Sequence, residues 1–383
     1  MPLDKNGFML IPKTTKSHSA LQKSGGQTMD NVSHNERKIY LGMDVSQKNI
    51  ELFAVCGSNG SSLPAIKTSS VALKNLFENF TVKKQQICAV LETGTHANWI
   101  STCLEDMGIE VIVAHARDLA YIYNSDKKSD RVDAEKLARL AQADRKLLHP
   151  VKLKSRKQQE DLLAIKTRDL LVAERVKLIN SLRGFIRSFG YDDSSYSPET
   201  IQQINEILPK TIQKSLKGLF ITLSQINVQI KYYDKLLEKK SKEYPETEVL
   251  QQIKGVGPLT ALAFALIIGN PHRFTNREIS SYTGLAPKRD QSGDVDKQLG
   301  ISKAGNKLLR RLLVQCSQYI MGPFGEDCNL RRFGERIAAR GGSIAKKKAK
   351  IAVARKLAIT MMALWRKPEI KYQPNFKTRK KVA

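Results

Sequence analysis

The stretch Lys38–Cys56, "KIYLGMDVSQKNIELFAVC", decides the fold class. Two runs rich in β-branched and aromatic residues, "IYLGMDV" and "IELFAVC", flank the polar "SQKN", which is the signature of a hairpin. One residue fits this pattern poorly. Asp44 stands at the end of the first run, where an acid is costly unless it is paired or bound to a cation. Downstream, a helix is expected around "SVALKNLFENF" (70–80), then an apolar run "QICAVLE" (86–92) that closes on Glu92. After "TGTH" come a helix through "ANWISTCLEDMG" (97–108), a strand "EVIVAH" (110–115) and helical text to about residue 145. A hairpin followed by strands alternating with helices predicts an α/β domain over 38–150, a mixed sheet with helices against it. Upstream, residues 1–37 are polar and aperiodic and read as a disordered arm.

Beyond this domain the text becomes purely helical over 151–245. Leu219, Leu223, Ile226, Ile230, Tyr233 and Leu237 are spaced 4, 3, 4, 3, 4, a heptad seam that needs a partner surface. A helical hairpin within the chain and a coiled coil between chains satisfy it equally. "FGYDDSSYSPET" (189–200) reads as the loop between two helical tracts. A third, mainly helical domain spans 246–367. There Gly255 and Gly257 predict a tight turn, and Pro258 suits a first helical position. "FTNREISSYTGLAPKRDQSGD" (274–294) reads as a helix and then a polar loop, and "GISKAGNKLLRRLLVQCSQYI" (300–320) opens another helix. Residues 368–383 form a basic tail.

Charge is the strongest global signal. Sixty-four Lys and Arg against 37 acids give a net +27, a field that collects polyanions, above all nucleic acid. Residues 331–383 hold 17 basic residues and 2 Glu, hence +15 of that total, and include the run Lys346, Lys347, Lys348. The apolar residues of "IAVARKLAITMMALW" suit a core-packing helix rather than an interfacial one, which argues against a membrane surface. No run is long and apolar enough to span a bilayer, and "MPLDKNGFMLIPKTTKSHSA" lacks a secretory core. Five scattered cysteines without a CxxC pair argue against zinc and disulfides and fit a cytoplasmic protein.

The acids carry the chemistry. In "KSDRVDAEKLARL" (128–140), Asp130 and Asp133 suit the cap and first turn of a helix, and on their own need no other explanation. Asp44 and Glu92, each at a strand end, have no such role. A divalent cation at one edge of the sheet accounts for all four, and all-oxygen ligands favour Mg2+ or Mn2+ over zinc. Two such ions can clamp a phosphodiester. His96 and His115 lie near strand ends but are left out of the site.

"YLGMDVSQ", "LETGTHANWI", "KSDRVDAEKLA", "IKGVGPLTALAFALIIGNPHRF", "YTGLAPK" and "GISKAGNKLLRRLL" together resemble the DEDD transposases of the insertion sequence 110 type, also called the 116/902 type. The resemblance runs from about residue 38 to residue 367. It implies an RNase H-like, RuvC-type first domain whose Asp44, Glu92, Asp130 and Asp133 bind Mg2+. A helical coiled-coil segment then leads to a C-terminal transposase domain with a nucleophilic serine, here Ser302. It also implies donor and target DNA, a structured guide (bridge) RNA that pairs with both, and a homo-oligomer, dimer or tetramer, in a nucleoid-associated setting. Lys303, Arg310 and Arg311 beside the serine offer cations for a phosphate. From the residues alone, Ser302 reads as a helix N-cap. Two other functions therefore stay open: a RuvC-like junction nuclease using water, and a basic nucleic-acid-binding module whose acids are structural.

Overall fold

A computed structural model describes residues 38–78, 86–115, 130–197, 200–292 and 295–375, and the chain divides into two compact units, Met1–Lys152 and Leu153–Ala383. The proposed N-terminal arm lies outside the described residues.

The first unit is built on a five-stranded sheet: β1 (Ile39–Val45), β2 (Asn49–Cys56), β3 (Asn59–Lys67), β4 (Ile87–Glu92) and β5 (Glu110–Ala114), in the order β3-β2-β1-β4-β5. β1, β2 and β3 pair antiparallel, and β4 and β5 join parallel to β1. Its described α-helices are α1 (Ser70–Glu78), α2 (Ala97–Asp106) and α3 (Asp130–Ala143). The mixed sheet and the hairpin are as the sequence predicts. β3 is not, because "NGSSLPAIK" reads as a polar connection. It serves as an edge strand. Ile50 faces Ile66 and Leu52 faces Leu63, so Pro64 and Ala65 bulge opposite Glu51 and the missing proline N–H costs no ladder bond.

α3 lies on the face of the sheet that carries Tyr40, Cys88 and Val90, with Leu137 and Ala141 packed among them. The approach is close at one point. A β-carbon on Gly42 would lie 1.9 Å from the Ala134 carbonyl oxygen and 2.9 Å from the Ala138 nitrogen. Only glycine lets the helix backbone rest there.

The second unit begins with a helical hairpin, α4 (Arg156–Ser188) and α5 (Lys210–Ser241), and continues through α6 (Pro245–Gln251), α7 (Pro258–Ile268), α8 (Asn276–Tyr282), a β-hairpin, α9 (Lys307–Ile320), α10 (Asn329–Ala338) and α11 (Gly342–Arg366). The heptad seam is satisfied inside the chain. Leu216, Phe220 and Leu223 pack on Ile179, Leu182 and Ile186, while Leu237 meets Ile165, so α5 runs antiparallel to α4. Two buried acids fasten the hairpin. Asp193 pairs with Arg183 (3.0 Å) and Arg187 (2.5 Å) at the tip, and Asp161 takes Lys240 and the Tyr244 hydroxyl (2.7 Å) at the base.

α7 is buried on nearly every side because Thr260–Ile268 offers no charged face. α9 and α11 close over it with Leu309, Leu313, Leu357, Met361 and Met362, so the last long helix belongs to the core, as its apolar residues require. No described helix is long and apolar enough to cross a membrane. The expected polar loop after α8 is instead a hairpin, β6 (Pro287–Ser292) with β7 (Val295–Ile301), whose sequence is too polar to show a strand period.

The tight contact at Gly42 makes a direct test. Gly42→Ala is expected to lower stability by about 1–3 kcal/mol, through displacement of α3, and Gly42→Val by more. Urea unfolding measures it; an unchanged midpoint for both variants would show that the helix moves aside freely.

Candidate active site

In the first unit, the parallel register sets Met43 opposite Leu91, so Asp44 and Glu92 follow one residue later on adjacent strands. Period-two alternation puts Asp44 on the same face as Tyr40 and Gly42, and Glu92 on the face of Cys88 and Val90. That is the face α3 covers. α3 begins with Asp130 and Asp133. Because Ala134 sits on Gly42, the first turn of the helix is carried to the end of β1 where Asp44 stands.

The electrostatics bear this out. The Asp44 carboxyl is pushed up from 3.8 to about 6, first by burial, then by the charges of Asp130 and Asp133, and lastly by Glu51. Among the described residues, Asp133 Oδ1 is buried without a hydrogen bond, and Lys136 Nζ lies 4.0 Å from it. The cap and first-turn roles read for Asp130 and Asp133 account for acids at a helix start, but not for Asp44 being set against both of them. Among the described residues, no group of three or more His, Cys, Asp or Glu side chains is closed around a metal-sized point. Asp44 and Glu92 thus share a face and an end of the sheet, and Asp130 and Asp133 act on Asp44 from α3, but among the described residues no one set of coordinating distances joins the four. A repelling, half-buried carboxylate cluster with an orphaned oxygen has the chemistry that a hard divalent cation relieves. Nearby, the Trp99 indole donates to His96 Nδ1 (3.0 Å), which leaves only Nε2 of that imidazole to face other groups.

In the second unit, Ser302 follows β7 directly and precedes α9 by several residues. It does not cap the helix. Asn306 does, accepting a hydrogen bond from the Leu309 N–H at 2.9 Å. The segment from Ser302 to Asn306 is instead pinned to Tyr282–Ala286. The N–H groups of Ser302, Lys303 and Asn306 donate to the carbonyls of Ala286 (2.8 Å), Gly284 (3.1 Å) and Tyr282 (2.9 Å). Two glycines make this possible. A β-carbon on Gly284 would lie 2.3 Å from the Ala304 oxygen, and one on Gly305 would lie 2.2 Å from the Tyr282 oxygen. Lys303, just after the serine, adopts φ 55°, a left-handed conformation that non-glycine residues rarely hold.

The basic residues divide. Arg310 donates to the Thr283 carbonyl (3.1 Å) and Arg311 is ion-paired with Asp169 of α4, so both guanidiniums brace the fold. Lys303, Lys346, Lys347 and Lys348 are exposed, the last three on the opening turns of α11. The part played by Tyr282–Ala286 escaped sequence reasoning. Its only signal was a pair of isolated glycines, Gly284 and Gly305, in two separate motifs.

Asp44 gives a pH-dependent test. Its folded pKa of about 6 exceeds 3.8, so the folded protein keeps a proton that the unfolded chain has released between those values. Stability therefore falls as pH rises through that window and stays reduced above it. Asp44→Asn removes the cost. With EDTA present it is expected to raise the melting temperature near pH 7.5 and to change it little near pH 4. An equal shift at both, or a drop near pH 7.5, would contradict the cluster.

Comparison with known proteins places both units. Residues 41–190 match a transposase family of the DEDD, IS110 type, and residues 247–326 match the family described as Transposase IS116/IS110/IS902. The transposase for insertion sequence element IS1111A of Coxiella burnetii is 30% identical over 243 residues, 61% of this chain and 66% of that protein. A putative transposase, y4rJ, of Sinorhizobium fredii is 25% identical over 372 residues, 86% of this chain and 91% of its own length. The pilin gene-inverting protein of Moraxella lacunata is 32% identical over 120 residues, 31% of this chain and 36% of that protein. The first match covers the unit that holds the carboxylates and the second covers the turn that holds Ser302, and on both the chain belongs to the IS116/IS110/IS902 family of transposases.

Proposed function

We propose that the protein cuts and rejoins DNA for an insertion element through a covalent phosphoserine, with Mg2+ or Mn2+ held by Asp44, Glu92, Asp130 and Asp133. The observation that carries this reading is the raised carboxyl of Asp44 against Asp130 and Asp133 at one sheet edge. The strand order β3-β2-β1-β4-β5 suits an RNase H-like, RuvC-type domain. A bound divalent ion would polarise the phosphodiester and stabilise charge on its oxygens.

The chain's own groups do the rest. Ser302 Oγ attacks phosphorus, one P–O bond of the strand breaks as the Oγ–P bond forms, the hydroxyl proton passes to solvent, and the departing sugar oxygen takes up a proton. Attack by a sugar hydroxyl on the phosphoserine then reverses these bonds and reseals a strand, so no external energy source is needed. Two features support Ser302 in this role. The capping duty that would make it structural is already filled by Asn306, and the strained Lys303 fixes the turn that presents it.

The basic surface, with Lys303 and Lys346–Lys348 exposed, serves donor and target DNA and a structured guide RNA. The α4–α5 hairpin leaves Leu163, Leu170, Ile221, Val228 and Tyr232 exposed after its own seam is buried, and these suit contact with a second copy in a homo-oligomer.

Ser302→Ala tests the mechanism. Because the serine caps no helix, the variant is expected to melt with the parent protein and to bind labelled DNA equally. It should give no protein–DNA adduct on a denaturing gel and no recombinant product. Recombination by the alanine variant at a rate comparable to the parent's would rule out the serine and leave water or a DNA hydroxyl as nucleophile.

A further inference from the structure

Next to the Ser302 turn, the second unit has a cleft of about 430 Å³ formed by the chain leading into α4, by α4 itself, by α8 and by the first turn of α9. Lys154, Lys166 and Lys307 line it with one acid, Asp169, and Tyr282 and Leu308 give it an apolar side. Asp169 does not neutralise the lysines, since it is ion-paired with Arg311. Lys154 is half-buried, and its ammonium sits below its ordinary range, chiefly through burial and then through repulsion by Arg273 and Lys166. Cations gathered in this way repel one another, and an anion between them removes that cost.

Two further features narrow the ligand. Lys307 opens the 14-residue helix α9, whose positive end favours a phosphate. The Tyr282 ring is held at 4.6 Å from the Phe274 ring and 5.6 Å from the Arg273 guanidinium, so a fixed aromatic stands beside the cations. Cations beside an aromatic, in a space larger than one phosphate fills, match a nucleotide rather than a free anion.

We propose that this cleft binds one nucleotide of a nucleic-acid strand, its phosphate among Lys154, Lys166 and Lys307 and its base or sugar against Tyr282 and Leu308. Asn306 ends the Ser302 turn and Lys307 follows it, so a strand seated here is held in register with the serine. That consequence rests on the nucleophile reading; the binding itself does not.

The test uses the full chain carrying Ser302→Ala, so that no chemistry intervenes, and a labelled single-stranded oligonucleotide titrated by anisotropy across a salt series. Lys166→Gln with Lys307→Gln alters two exposed side chains, and Lys154→Gln is made separately with its melting temperature checked. Lys214→Gln with Lys217→Gln on α5 removes the same charge from exposed positions elsewhere. The cleft variants are expected to weaken binding about tenfold and to shrink the log–log salt slope by about 0.7 for the lost phosphate contact, with little change in the control pair. Equal losses in both pairs would reduce the cleft to general charge and overturn the proposal. So would a phosphate-dependent rise in melting temperature that the cleft variants lose while oligonucleotide binding stays intact, since that marks a free-phosphate site. Adduct formation is read in the Ser302 protein alone, so failure of the serine mechanism and failure of the cleft remain separate results.

Discussion

The contact of α3 with Gly42 is the constraint on which the first unit depends. Helices usually rest on a sheet through side chains, at a distance that leaves room for a β-carbon. Here the Ala134 carbonyl and the Ala138 nitrogen lie where such a carbon would be. Ala134, Ala138 and Ala141 are small, buried residues of α3, so no bulky side chain on that face holds the helix off at Gly42. The consequence is chemical rather than only structural. Drawing the helix in brings its acidic first turn against Asp44, and the resulting repulsion is part of why that carboxyl holds its proton to about pH 6. Packing at Gly42 and charge at Asp44 are two ends of one arrangement.

A second close fit organises the Ser302 region. Gly284 and Gly305 each remove a β-carbon where the two segments meet, and three backbone hydrogen bonds then hold the turn to Tyr282–Ala286. Backbone contacts of this kind leave little freedom to the residue between them. Lys303 shows the effect, held at a positive φ without glycine's tolerance of it. Arg310 strengthens the same junction from α9 and Arg311 ties α9 to α4, so the basic character of "NKLLRRLL" is partly spent on the fold. Net charge indicates a polyanionic partner, but it does not say which cations touch it.

What the sequence made legible were features with a period or a punctuation mark. The β1–β2 hairpin, the acids at strand ends, Pro258 at a helix start and the 4-3-4-3 seam all have one, and each stands where its pattern puts it. Two kinds of feature did not show. β3 and the β6–β7 hairpin are polar, so their strands carry no apolar alternation, and the bulge at Pro64 breaks what little β3 has. The cap of α9 was misplaced for another reason. Ser302 and Asn306 are both good capping residues, and only the hydrogen bond to Leu309 decides between them. That decision freed the serine from a structural duty. The choice between a seam within the chain and one between chains was likewise closed by distant packing, since α4 and α5 are apart in sequence.

The acidic cluster also has to be set against the charge of the whole chain. A net +27 should favour the ionised form of every carboxyl and so lower its pKa. Asp44 goes the other way. The difference lies in range, because the field of exposed lysines decays over about 8 Å at physiological salt, while burial and the neighbouring aspartates act without that screening. At Asp44, where α3 meets β1, burial and the neighbouring aspartates therefore outweigh the field of the whole chain. A strongly basic protein thus holds, at the start of α3, acids that repel one another and would repel any other anion until something positive joined them.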